Sequence, residues 1–242
     1  MLIKSVIQAI PTYSMSCFKL PKGLIKEIET MIRKFWWGYN GDNGDGRKVH
    51  WVKWERLCQA KEAVGMGFKE IKKFNEALLA KQVWRMLKNP ESLYHRVFKA
   101  RFFPDCSILE ATSSSNGSYA WKSILSARDV VRRGMIWSIR DGKLVSIKED
   151  KWLPDQVYRT VSSPLPSIPP YAKVSMLIDT EIRAWKEEDV RHMFLPHEAK
   201  KILSISLSTK LPQDNIIWSK NPSGVFSTQI TYQLLAGDAH PQ

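Results

Sequence analysis

The 242-residue sequence predicts an α+β protein that is mainly α-helical: a helical N-terminal half, then mixed helix and short β-hairpins. Three observations carry that expectation. Apolar residues recur with a helical period over 21–37 and again over 71–88. In the second half, the turn-forming strings Asp141-Gly142 and Asn221-Pro222-Ser223-Gly224 sit between short apolar runs. The composition, 43% hydrophobic and 25% charged, is that of an ordinary globular chain long enough to bury a core.

The elements are expected as follows. Leu2 to Ala9 forms a short helix ending at Ile10, because the residue before Pro11 leaves the α region. Pro21 opens a clearer helix in which Leu24, Ile28, Met31, Ile32 and Phe35 make one apolar stripe, with Gly38 as its stop. Residues 40–46 are a turn-rich loop, followed by a Trp-rich piece (Trp51, Trp54) and a Gly65-Met66-Gly67 turn. The longest helix covers 71–88, with Ile71, Phe74, Leu78, Leu79, Val83, Met86 and Leu87 in register. Asn89-Pro90 ends it, and Leu93, Tyr94, Val97 and Phe98 return as the second arm of a helical hairpin.

A Ser-rich linker over 104–118 is expected to mark the main boundary, between a basic helical region at 1–103 and a mixed α+β region at 119–224. Ser118 caps a helix over 119–133 that Gly134 closes. Ile136 to Arg140 and Leu144 to Ile147 form a hairpin around Asp141-Gly142. Residues 154–170 hold five of the 13 prolines and form a loop or wrapping arm. Helices follow at about 181–194 and 196–205. A second hairpin pairs Ile216-Ile217-Trp218 with Val225 to Thr228, and a helix begins near Tyr232.

Charge is the strongest bulk signal. The net charge is +13, and residues 1–101 hold 20 Lys+Arg against 9 Asp+Glu, whereas 102–242 hold 17 against 15. Such asymmetry points to a polyanionic partner, nucleic acid before an acidic membrane surface. No run approaches the ~18 apolar residues of a membrane span. The N-terminal Met1-Leu2-Ile3-Lys4 does not read as a secretory signal. Three widely separated cysteines, Cys17, Cys58 and Cys106, fit a reducing compartment.

Catalytic patterns are missing. Two-metal phosphoryl transfer needs paired carboxylates, and the sequence has no Asp-Asp pair. Glu149-Asp150 and Glu187-Glu188-Asp189 lie among lysines and read as solvated charge. No phosphate-binding glycine loop, Cys-x-x-Cys or Gly-x-Ser-x-Gly occurs. His192 and His197 fall on different expected helices, so a shared metal is not favoured. What remains is basic residues interleaved with aromatics: Lys19, Lys22, Lys26, Arg33 and Lys34; Arg47, Lys48, Lys53 and Arg56 around Trp51 and Trp54; and Lys69, Lys72 and Lys73 at the start of the long helix. Lysine and arginine release counterions from phosphates and bind without sequence preference. Trp36, Trp37, Trp51 and Trp54 are expected in the core, the functional alternative being stacking on unpaired bases.

Several strings resemble plant LINE-type (non-LTR) retrotransposon reverse transcriptases. They are Leu2-Ile3-Lys4-Ser5-Val6, Ala9-Ile10-Pro11-Thr12-Tyr13-Ser14-Met15-Ser16-Cys17-Phe18, Leu20-Pro21, Phe35-Trp36-Trp37-Gly38, His50-Trp51-Val52-Lys53-Trp54 and Gly65-Met66-Gly67-Phe68. The most telling is Phe74-Asn75-Glu76-Ala77-Leu78-Leu79-Ala80-Lys81-Gln82-Val83-Trp84-Arg85. Gly134-Met135-Ile136-Trp137, Asp141-Gly142, Asp150-Lys151-Trp152-Leu153 and Gly224-Val225-Phe226-Ser227 continue it in order along nearly the whole chain. Val64 stands where that family usually has glycine, and Ile147-Lys148-Glu149 where it tends to have a tryptophan before the acidic residue.

The resemblance implies a region after the polymerase palm: 1–103 thumb- or connection-like, and 225–242 the truncated start of the family's zinc-binding domain, which a ribonuclease H domain often follows. The palm's Tyr-x-Asp-Asp carboxylates and the zinc ligands have no counterpart here. The parent would use Mg ions in its palm, and no cofactor, metal site or catalytic residue is expected in this chain. The implied partners are RNA, DNA or an RNA–DNA hybrid and the missing palm, with no membrane, in nucleus or cytoplasm rather than outside the cell. The alternatives are a non-catalytic protein-interaction module and a nonfunctional pseudogene product.

Overall fold

A computed structural model describes residues 11–37, 52–59, 65–112, 117–154, 159–166, 168–208, 210 and 212–237. The described elements are mostly helical with four short strands, the mainly helical α+β class expected. They fall into two compact units: residues up to Arg133 together with those from Phe226 onward, and Gly134–Val225. The chain passes from the first unit to the second after Arg133 and returns at Phe226, whereas the sequence reading places its linker at 104–118 and its last segment at 225–242.

The first unit contains α1 (Thr12–Cys17), α2 (Lys22–Trp36), α3 (Trp54–Cys58), α4 (Ile71–Lys88), α5 (Leu93–Phe102), α6 (Tyr119–Ser126), α7 (Arg128–Gly134, its last residue in the second unit) and α10 (Thr228–Gly237). Helix α4 is buried on almost every side, at Ile71, Asn75, Ala77, Leu78, Leu79, Ala80, Val83, Trp84 and Met86. A helix with buried residues on most of its faces must be enclosed by neighbours, and α1, α2, α5, α6 and α10 all pack on it. The Asn75 side chain ties α1 down: Nδ2 donates to the carbonyls of Met15 (2.7 Å) and Phe18 (2.9 Å), and Oδ1 accepts the Leu20 amide (2.8 Å). At the start of α4, the Tyr232 hydroxyl on α10 accepts the Glu70 amide at 3.0 Å. Phe226 stacks on Trp84 with ring centroids 5.6 Å apart.

Helix α1 is an element that the sequence pattern does not predict, and the helix expected over 2–10 lies outside the described residues. Ser92 caps α5 and Ser118 caps α6, accepting the amides of His95 and Trp121 at 3.2 Å each. The helix expected over 119–133 is broken at Ala127. The Ser123 and Ser126 hydroxyls donate to the carbonyls of Tyr119 (2.7 Å) and Ser123 (2.8 Å), local bonds that compete with continued helix.

The second unit contains β1 (Met135–Ser138), β2 (Ile178–Asp179), β3 (Ala184–Trp185), α8 (Glu187–Met193), α9 (Pro196–Leu203) and β4 (Asn215–Trp218). Neither expected hairpin forms. Strand β1 pairs antiparallel with β4, Ile136 opposite Ile217. The Asp141-Gly142 turn is held instead by buried Asp214, whose carboxylate accepts the amides of Arg140 (2.7 Å), Gly142 (3.0 Å) and Leu144 (3.0 Å). After Trp218 a turn closes through the Trp218 amide on the Gly224 carbonyl (2.8 Å), and residues from Thr228 become α10 rather than a strand. Helix α8 starts later than expected because Ala184 and Trp185 are taken by β3.

Charged side chains satisfy this unit's irregular backbone, which buried loops require. Lys148 Nζ donates to the carbonyls of Leu165 (2.9 Å) and Ile168 (2.8 Å). Asp150 accepts from Trp137 Nε1 (3.2 Å) and the Ser146 amide (2.7 Å), so it is structural rather than solvated. Glu187 does lie on the surface, paired with Arg191 at 2.6 Å.

Candidate nucleic-acid interface

Helix α2 places Lys22, Lys26 and Arg33 within about 40° of one another around its axis, with Lys34 on another side. All four are exposed or half-buried, as is Lys19 in the turn before the helix. Lys53, just before α3, and Arg56 within it are exposed. Lys69, Lys72 and Lys73 surround the start of α4, which carries no acidic residue in its first turn. Positive charge there opposes the helix dipole, and the carboxylate of Glu70, the N-cap residue, partly relieves it. The first turn of α2 likewise holds Lys22 and no acid. Arg47, Lys48 and Trp51 lie outside the described residues.

The set is not uniformly cationic. Lys73 pairs with Glu70 at 2.8 Å. The Arg33 guanidinium donates to Thr30 Oγ1 (3.1 Å) and the Glu29 carbonyl (3.4 Å). Burial pushes the Glu29 carboxyl up, aided by nearby Glu70 and Glu55 and opposed by the Trp54 indole and Arg33. Arg33 and Lys73 thus border a small acidic group. Burial lowers the Lys69 ammonium, which sits 3.9 Å from the Phe74 ring centroid. Among the described residues, Lys19, Lys22, Lys26, Lys34, Lys53, Arg56 and Lys72 form no salt bridge.

The tryptophans divide. Trp54 is buried against Phe68, Trp37 is partly buried, and Trp36 stays 37% exposed. The stripe of α2 divides too: Ile28 and Ile32 pack inward, beside Ile25, which the expected stripe does not include, whereas Leu24, Met31 and Phe35 remain exposed. Divided by the fold, the charge asymmetry is the same as when the chain is divided after residue 101. The first unit holds 24 Lys+Arg against 13 Asp+Glu, +11, and the second 13 against 11, +2. Basic side chains absent from the sequence-derived set, Arg96, Lys99 and Arg101 of α5, add to the surface of the first unit. Among the described residues no group of three or more His, Cys, Asp or Glu could hold a metal, and no helix is long and apolar enough to cross a membrane.

No family model and no solved structure matches the chain. Over 161 residues it is 38% identical to the uncharacterized mitochondrial protein AtMg00310 of Arabidopsis thaliana, an alignment covering 66% of this chain and 99% of that protein. The chain belongs to the AtMg00310 family. This member of the AtMg00310 family is also 25% identical over 245 residues to "Putative ribonuclease H protein At1g65750" of the same plant. That alignment covers all of the chain and 39% of the relative, so the chain spans about two fifths of that relative's length.

Proposed function

We propose that the chain is part of a retrotransposon reverse transcriptase polyprotein, from the region after the palm, and that its first unit grips the template–primer. Three things support this reading. The ordered strings from Leu2 to Ser227 resemble LINE-type reverse transcriptases. A relative matched along the whole chain bears a ribonuclease H name. The third, which carries the binding role, is the +11 charge concentrated in one helical unit. Lys19, Lys22, Lys26, Arg33, Lys34, Lys53, Arg56, Lys69, Lys72 and Lys73, with Arg47 and Lys48, meet phosphates and supply affinity without sequence preference. RNA, DNA and their hybrid are all partners on this reading.

The bond-forming carboxylates and their Mg ions belong to the palm of the parent, so the chain alone extends no primer. Electrophoretic binding of the full chain to an RNA–DNA hybrid at low salt, lost as salt rises, is the expected result. Absence of binding at low salt refutes the grip, and primer extension by the chain alone refutes the missing-palm reading.

The exposed row Leu24, Met31 and Phe35 favours a second contact, with protein. Large apolar side chains aligned on one helix face mark a docking surface, and on this reading the palm is what covers it.

A further inference from the structure

Phe18, which closes α1, and Tyr119, which opens α6, stack on each other with ring centroids 6.0 Å apart and planes 21° from parallel. The Tyr119 hydroxyl donates to the Lys19 carbonyl, so the ring is tethered at its far edge. Helices α1 and α6 pack together and fix the two backbones, and Asn75 holds the Phe18 carbonyl from below. These contacts hold the pair in place, yet it is not core: Phe18 is 42% and Tyr119 56% exposed. Each ring covers the other on one side, and both residues keep about half of their surface open to water.

Lys19 and Lys22 adjoin the pair along the chain, both exposed and neither in a salt bridge among the described residues. A purely apolar partner gains nothing from that cationic rim, whereas a nucleic-acid strand offers flat rings and phosphates alternately. We propose that the Phe18–Tyr119 pair is a stacking platform for an unpaired base of single-stranded nucleic acid, with Lys19 and Lys22 meeting the flanking phosphates. The proposal rests on the nucleic-acid reading above and names the kind of strand this part of the unit takes. A paired base is already covered on both faces, so a blunt duplex makes no use of the platform. Base–aromatic stacking tolerates any sequence and strengthens binding by about 5- to 100-fold per base.

The test uses the full chain, a single-stranded DNA of about twelve nucleotides carrying one 2-aminopurine, and a blunt RNA–DNA hybrid of equal length. The expected result is quenching of the 2-aminopurine by the wild type. Phe18→Ala combined with Tyr119→Ala weakens single-strand binding about tenfold and leaves hybrid binding within about twofold. Tyr119→Trp, made alone, supplies another aromatic ring and retains both quenching and affinity. Binding of the single strand without quenching, or with affinity unchanged in the double variant, overturns the platform while the grip stands. Failure of the wild type to bind either probe overturns both. The wild-type quenching and the Tyr119→Trp variant decide the matter even where the double variant does not fold.

Discussion

The Trp218 indole lies against the bare Cα of Gly134: a Cβ built there would fall 2.1 Å from Trp218 Cη2. Trp218 is fully buried and its neighbour Ser219 donates from both N (2.9 Å) and Oγ (2.7 Å) to the Gly134 carbonyl, so neither side gives way easily. Gly134→Ala is therefore an overpacking change. It should destabilise the fold by about 1–3 kcal/mol, measured as a lower urea midpoint by tryptophan fluorescence.

Asn75 serves three backbone groups of the α1–α2 connection with one side chain. Asn75→Ala removes all three partners from a buried place and should lower stability by about 2–4 kcal/mol. Hydrogen exchange of the Leu20 amide should speed up well before global unfolding, and a protected Leu20 in the variant would contradict this account.

Glu198 governs the acid response of the second unit. Burial alone would raise its pKa, but hydrogen bonds from Ser163 and Ser162, each through its hydroxyl and its amide, outweigh that and bring it below the ordinary 4.5. A depressed carboxyl contributes stability that is present above its unfolded pKa and is lost as pH falls through the folded one. The wild type should thus lose stability below about pH 4.5. Glu198→Gln should be less stable at neutral pH, with the gap closing in acid, as followed by thermal melts across pH 3–7.

Cys58 should be chemically inert. Burial first, and then the carboxylates of Glu70, Glu29 and Glu55, push its thiol up to about 12. Because the thiolate is the reactive form, iodoacetamide at pH 8 should leave Cys58 unlabelled under conditions that alkylate a free cysteine peptide. Peptide mass mapping reads the outcome directly.

Local signals in the sequence were legible and distant ones were not. The apolar periods of 21–37 and 71–88, the Ser118 cap and the Asn89-Pro90 stop all became what their local chemistry dictates, and the Ser92 cap of α5 was not expected from the sequence. The Asp141-Gly142 hairpin failed because the Arg140, Gly142 and Leu144 amides go to Asp214, about seventy residues away. Strand β1 likewise found its partner in β4. In the candidate interface, counting charges was enough to find the basic half. The Phe18–Tyr119 pair was invisible because its rings meet only through the packing of α1 on α6, a hundred positions apart. Trp54 is buried as its type suggests, whereas Phe35 and Trp36 stay exposed. Which edge of an apolar stripe is covered depends on neighbours that a single helix does not specify.

The measurement that bears most directly on the central claim is the salt dependence of binding to an RNA–DNA hybrid, for the wild type and for Lys22→Glu combined with Lys26→Glu. The account predicts that log Kd rises linearly with log salt, that the variant binds about tenfold more weakly, and that its slope is shallower by about 1 for each phosphate it no longer neutralises. Binding that ignores salt, or a variant with the wild-type slope and affinity, would contradict a cationic grip by the first unit.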